Sequence, residues 1–133
     1  MEDNVKRVPR ILIVDDYADA REMYREFLVF KGYDVMEATN GREALEKASA
    51  TTFDLIVLDL ALPKIDGMQV IKALHEGPKT RGLPIIVLSG SVQPAVRNQV
   101  LKAGAALFLK KHCLPEELEA AMRAFVSAAE RRS

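Results

Sequence analysis

The chain has one cysteine among its 133 residues, so no internal disulfide can form. No cluster of Cys and His has the spacing of a zinc site either. Cys113 reads as a half-buried packing residue of a protein in a reducing compartment. An excess of charge is also lacking. Lys plus Arg number 19 and Asp plus Glu number 19, which argues against a direct nucleic-acid binder with a phosphate-neutralising basic face. No apolar run approaches the ~20 residues that span a bilayer, and the first ten residues, MEDNVKRVPR, lack the apolar stretch of a signal peptide. The expected location is therefore the cytoplasm, without membrane contact. Repeats, low-complexity tracts and Pro/Gly/Ser-rich linkers are missing, so a single domain is expected. Its divisions are a flexible lead-in over 1–9, a folded body over 10–129 and a tail over 130–133.

What is present is a core and an alternation. Hydrophobic residues make up 49% of the chain, too many for a disordered polymer. Ile11–Val14, Leu55–Leu58 and Ile85–Leu88 are short unbroken apolar runs, the pattern of strands buried on both faces of a parallel sheet. Asp34–Ala38 and Ala106–Leu109 read as two weaker strands. Between them run helical stripes. Ala20, Met23, Tyr24, Phe27 and Leu28 share one face, and shorter stripes include Val70, Ile71 and Leu74, then Leu118, Ala121, Met122 and Phe125. Gly32 and Gly104 stand where helices end. Pro115, followed by Glu116 and Glu117, stands where the last one begins. Five strands alternating with five helices imply right-handed crossovers and an α/β fold with a parallel sheet covered on both sides.

Ligands of such sheets bind beyond the carboxyl ends of the strands. There the sequence puts Asp15 and Asp16, then Asp59, then Ser89, and beyond the fifth strand Lys110 and Lys111. Taken singly, each has a plain structural reading: caps and turns for the acids and the serine, solvated charge for the lysines. Together, the three carboxylates repel and raise one another's pKa unless a cation compensates. An all-oxygen ligand set with room for water favours Mg2+ over zinc or copper. Such an ion suits a phosphoryl group, and a carboxylate can itself be the nucleophile.

In this order and spacing the residues resemble the receiver domain of two-component response regulators, over Arg10 to about Ala129. Four segments carry the resemblance: the strand Ile11–Val14 with Asp15-Asp16; Asp59-Leu60-Ala61-Leu62-Pro63-Lys64-Ile65-Asp66-Gly67; Leu88-Ser89-Gly90; and Gly104-Ala105 through Phe108 to Lys111. The resemblance implies a flavodoxin-like (βα)5 fold with strand order 2-1-3-4-5. It implies that Asp59 is the phosphoacceptor, and that Asp15, Asp16, Asp59 and the backbone carbonyl of Ala61 bind Mg2+. Ser89 would sense the phosphoryl group, Phe108 would be the aromatic that moves with it, and Lys111 would pair with the phosphate. The implied partners are a sensor histidine kinase or a histidine phosphotransfer protein upstream and a protein target downstream, with the chain a monomer or weak dimer. It would be a switch that modifies and dephosphorylates itself, not an enzyme acting on other substrates.

One departure stands out: the family usually has Pro directly after the lysine, and here it is His112. A cis bond before a non-proline residue costs about 2.5–4 kcal/mol, so the expectation is a trans or a strained cis Lys111–His112 bond. Other readings stay open. His112 fits a degenerate receiver that only binds partners. A haloacid-dehalogenase-type aspartyl phosphatase is disfavoured because Ala61 replaces its second Asp. A flavin- or nucleotide-binding module is disfavoured because the loop after the first strand is acidic and no P-loop pattern is present.

Overall fold

A computed structural model describes residues 8–62 and 66–130, with side chains of the last helix described as far as residue 126. The element order is β1 (Arg10–Val14), α1 (Ala18–Phe30), β2 (Asp34–Ala38), α2 (Gly41–Ala50), β3 (Leu55–Asp59), α3 (Gly67–Glu76), β4 (Ile85–Ser89), α4 (Pro94–Ala103), β5 (Leu107–Lys110) and α5 (Pro115–Glu130). The sheet is parallel, in the order β2-β1-β3-β4-β5. This is the flavodoxin-like arrangement. Most of the expected lead-in and tail, residues 1–7 and 131–133, lies outside the described residues, as do positions 63–65 of the Asp59 segment.

The unbroken apolar runs work as expected. Side chains alternate across a strand, so each central strand feeds two cores. Leu12, Val14, Ile56, Leu58, Ile85 and Val87 pack under α2, α3 and α4 together with Ala44, Val70, Ile71, Leu74 and Val100. Ile11, Ile13, Leu55, Val57, Ile86 and Leu88 face α1 and α5, against Tyr24, Leu28, Leu118, Met122 and Val126. Because both faces are apolar, what remains for polar groups is the end of each strand.

The helix boundaries follow from local chemistry. Gly32 has a φ of +100° and Gly104 of +127°, the left-handed region that glycine enters without a Cβ penalty. After α1, the amides of Gly32 and Tyr33 donate back to the carbonyls of Val29 and Leu28. Asn40 caps α2 by accepting from the Glu43 amide at 2.9 Å. At α5, Pro115 is the first helical residue, and the Leu114 amide donates to Glu117 Oε1 at 2.8 Å, the return half of a capping box.

One helical expectation is corrected. Met23 was placed on the buried stripe of α1, yet it is 44% exposed, and Phe30 at the helix end is 84% exposed. The buried residues of α1 are Ala20, Tyr24 and Leu28, while Phe27 is half covered.

Candidate functional site

Register sets the site. Val14 of β1 pairs with Leu58 of β3, so Asp15 and Asp59 follow side by side as the chain leaves those strands. Both are only 2% exposed, whereas Asp16, one residue further into the turn, is exposed. One carboxylate oxygen from each of Asp15, Asp16 and Asp59 lies within 4.8 Å of the others. The sequence thus brings the three acids together as expected. They are a hard, all-oxygen donor set of the kind that suits Mg2+.

Lys111 closes the site from the other side. Its Nζ donates to Asp59 Oδ2 at 2.7 Å and lies 3.5 Å from Asp15 Oδ2. The repulsion among the acids is therefore met in part by a lysine from the far edge of the sheet, and a dication is not the sole compensation. Lys110, by contrast, is exposed. Burial pushes the Asp59 carboxyl above the usual carboxylate range; the Lys111 hydrogen bond pulls it down, and the charge of Asp15 pushes it up again. Burial counts against the Lys111 ammonium, but its hydrogen bond to Asp59 and the charges of Asp15 and Asp59 outweigh that, so its pKa is raised. The attraction is common to both partners. The Asp59 shift is nonetheless upward because that carboxylate is the more buried and also faces Asp15.

The remaining expected residues lie around this triad. Ala61 is exposed, and its amide donates to Asp59 Oδ1 at 3.1 Å, holding the carboxylate from below. Ser89, 4% exposed, ends β4, and its hydroxyl accepts from the Ser91 amide at 3.1 Å. Phe108 lies opposite Val87, two residues before Ser89 on the neighbouring strand, and packs on the α4 side of the sheet while half-buried.

The loop after β5 carries the departure noted above. No cis bond occurs among the described residues, so Lys111–His112 is trans. The turn is made instead by His112, whose φ is +71°. Its neighbours are pinned: the Lys111 amide donates to Ser89 O at 2.7 Å, and Cys113 O accepts from the Tyr24 hydroxyl at 2.7 Å. With both sides fixed, the reversal falls on His112, whose exposed side chain makes it tolerable. Cys113 is half-buried, and burial pushes its thiol up, which matches an inert packing role.

The structure gives the Asp66-Gly67 end of the Asp59 segment a physical role. Asp66 caps α3 by accepting from the Gln69 amide at 3.0 Å. The next residue, Gly67, lies so close under Leu60 that an added Cβ would sit 2.5 Å from the Leu60 carbonyl oxygen. The Asp-Gly pair is therefore a cap plus a close approach that brings α3 against the residue following Asp59. Arg21 of α1 is the support that sequence reasoning missed: its Nη1 donates to the Asp15 carbonyl at 2.8 Å. No periodic signal marks such a contact.

Comparison with known proteins agrees with this geometry. Residues 11–123 match the family described as response regulator receiver domain. The response regulator MprA of Mycolicibacterium vanbaalenii is 41% identical over 117 residues, covering 88% of this chain and 50% of that protein. The transcriptional regulatory protein ResD of Bacillus subtilis is 36% identical over 124 residues, covering 93% of this chain and 50% of that protein. The chain spans about half the length of these relatives. The chemotaxis response regulator CheY4 of Vibrio cholerae superposes with a TM-score of 0.85 at 31% identity, over 90% of this chain and 99% of that one. These matches place the chain among the phosphoacceptor switches of two-component systems. The chain belongs to the response regulator receiver domain family.

Proposed function

We propose that residues 10–129 form a receiver in which Asp59 takes a phosphoryl group from the phosphohistidine of a sensor kinase or histidine phosphotransfer protein. The reading is carried by one observation: three carboxylates whose oxygens lie within 4.8 Å, with Lys111 Nζ 2.7 Å from the middle one. Asp15, Asp16 and Asp59, with the Ala61 carbonyl, would hold Mg2+. The ion, when bound, supplies positive charge to the equatorial oxygens of the transferring group.

The rest is work for the chain's own groups. An Asp59 carboxylate oxygen attacks phosphorus as the donor's P–N bond breaks, and the bond pair leaves with the imidazole nitrogen. Lys111 trades part of its bond to Asp59 for a phosphoryl oxygen, so charge is neutralised by a group already in place. The Ser89 hydroxyl turns from the Ser91 amide toward the phosphoryl group. Phe108, on the same face of the adjoining strand, then follows into the vacated space. The surface around α4, β5 and α5 changes with it, and a downstream protein reads the change. Attack of water on phosphorus returns free phosphate and the Asp59 carboxylate, which resets the switch. A cytoplasmic location and a monomer or weak dimer fit this role, and among the described residues no helix is long and apolar enough to cross a membrane.

Intact-mass analysis after incubation with Mg2+ and acetyl phosphate tests the proposal. The chain gains the mass of one phosphoryl group, and Asp59→Asn does not. Equal gain in both would place the acceptor elsewhere.

A further inference from the structure

We infer that Arg21 is a positioning residue for the metal site, acting through the peptide that joins Asp15 to Asp16. The inference rests on the metal-binding reading above and adds a residue to it.

Asp16 is the exposed member of the triad, in a turn outside any strand or helix. Asp15 and Asp59 are held by burial and by Lys111. The Asp16 carboxylate is set by the path of its backbone. That path is fixed before it by the Asp15 amide, which donates to Ala38 O at 3.1 Å, and after it by the Tyr17 amide, which donates to Asp15 Oδ1 at 2.9 Å. The Asp15 carbonyl, which orients the peptide plane leading into Asp16, accepts from Arg21 Nη1 at 2.8 Å.

Arg21 is held in turn. Its Nε donates to Glu37 Oε1 at 2.8 Å, and the other oxygen of Glu37 pairs with Arg25 Nε at 2.9 Å. The Glu37 carbonyl accepts from Lys47 of α2. A line of contacts therefore runs from α2 through β2 and α1 to the acidic turn. The Arg21 side chain is 16% exposed, so this is not a freely solvated pair. One planar guanidinium spans a carboxylate and a carbonyl at once; the single ammonium of lysine has no such fork.

Two effects of Arg21 on a bound dication oppose each other, which makes the inference decidable by sign. As a cation near the site, Arg21 repels Mg2+, so its removal should tighten binding. As a support of a metal ligand, its removal should weaken binding, and supports of this kind typically govern affinity by about 10–100-fold.

The experiment is calorimetric Mg2+ titration of the whole chain as wild type, Arg21→Met, Arg21→Lys, Asp16→Asn and the Arg21→Met/Asp16→Asn double variant. Amide hydrogen exchange of the metal-free proteins accompanies it. We expect both Arg21 variants to bind Mg2+ about tenfold more weakly, Arg21→Lys included although it keeps the charge. The double variant should bind no more weakly than Asp16→Asn. Without metal, the Tyr17 amide should exchange faster in both Arg21 variants while the α1 amides stay protected. Tighter or unchanged binding overturns the inference. So does an Arg21→Met effect that persists in full in the Asp16→Asn background. If the wild type binds no Mg2+, the proposed function falls and the exchange data alone decide for Arg21, unchanged Tyr17 exchange overturning it.

Discussion

Asp59 is the most consequential side chain, and its environment predicts a cost. Its folded pKa is raised, chiefly by burial. A raised pKa contributes stability that is present below the ordinary carboxylate range and lost as pH rises through the folded value. At neutral pH the ionised group therefore destabilises the metal-free fold. Asp59→Asn should raise its thermal stability at pH 7 by on the order of 1 kcal/mol, the gap closing as pH falls and wild-type Asp59 protonates. Melting curves across pH check this; a lower midpoint for the variant at pH 7 would contradict it. Lys111 has the opposite role. Lys111→Met leaves two buried carboxylates facing one another and should cost about 2 kcal/mol, below the cost in a sealed core because the site opens at the rim. Added Mg2+ should recover most of that loss in the same melting assay. Asp15, Asp16 and Asp59 were legible in the sequence because they directly follow unbroken apolar runs, whereas only the family resemblance separated Lys111 from Lys110. Arg21 was not legible, because its contact depends on the angle of α1 over β2, which no spacing rule encodes.

At the scale of elements, the loops differ in how far chemistry dictates them. Helices followed their apolar stripes and the central strands their unbroken apolar runs, since a strand buried on both faces is apolar at every position. The exception was α1, where a stripe drawn from spacing alone included Met23; how much of a stripe is covered depends on the neighbouring layer, which spacing does not encode. The Asp66–Gly67 junction predicts a large effect from a small change. Gly67→Ala drives a methyl against the Leu60 carbonyl and should destabilise by about 1–3 kcal/mol. Asp66→Ala should cost about 1 kcal/mol through the lost cap. Denaturant titrations separate the two, and a neutral Gly67→Ala would mean that α3 does not press on the Asp59 segment. The β5–α5 turn was only half legible. The absence of proline after Lys111 left a trans or a strained cis bond open, of which the structure has the trans form, and the left-handed φ of His112 goes with bonds at Ser89 and Tyr24, far away in sequence. His112→Gly should be close to neutral, relief of the left-handed cost being offset by greater freedom in the unfolded chain. His112→Val should lose about 1–2 kcal/mol. Equal stability of these two variants would show that the turn does not require the left-handed geometry.

For the whole molecule, sheet order and site are one consequence of sequence. Parallel strands buried on both faces exclude polar groups from the interior, and the crossovers return every strand end to the same edge, so charge gathers there. That logic made the parallel sheet and the position of the acidic rim accessible before any coordinates, while the strand order came from the family resemblance. Partner surfaces were less accessible, because exposed residues such as Phe30 and Leu114 obey no packing rule. The account as a whole stands on a dication shared by Asp15, Asp16 and Asp59. Magnesium titration followed by amide chemical shifts measures this directly. The prediction is one saturable site, with the largest shifts at Asp16, Leu60, Ala61 and Lys111, abolished in Asp59→Asn. Absence of a saturable response, or shifts that leave these residues unmoved, would contradict it.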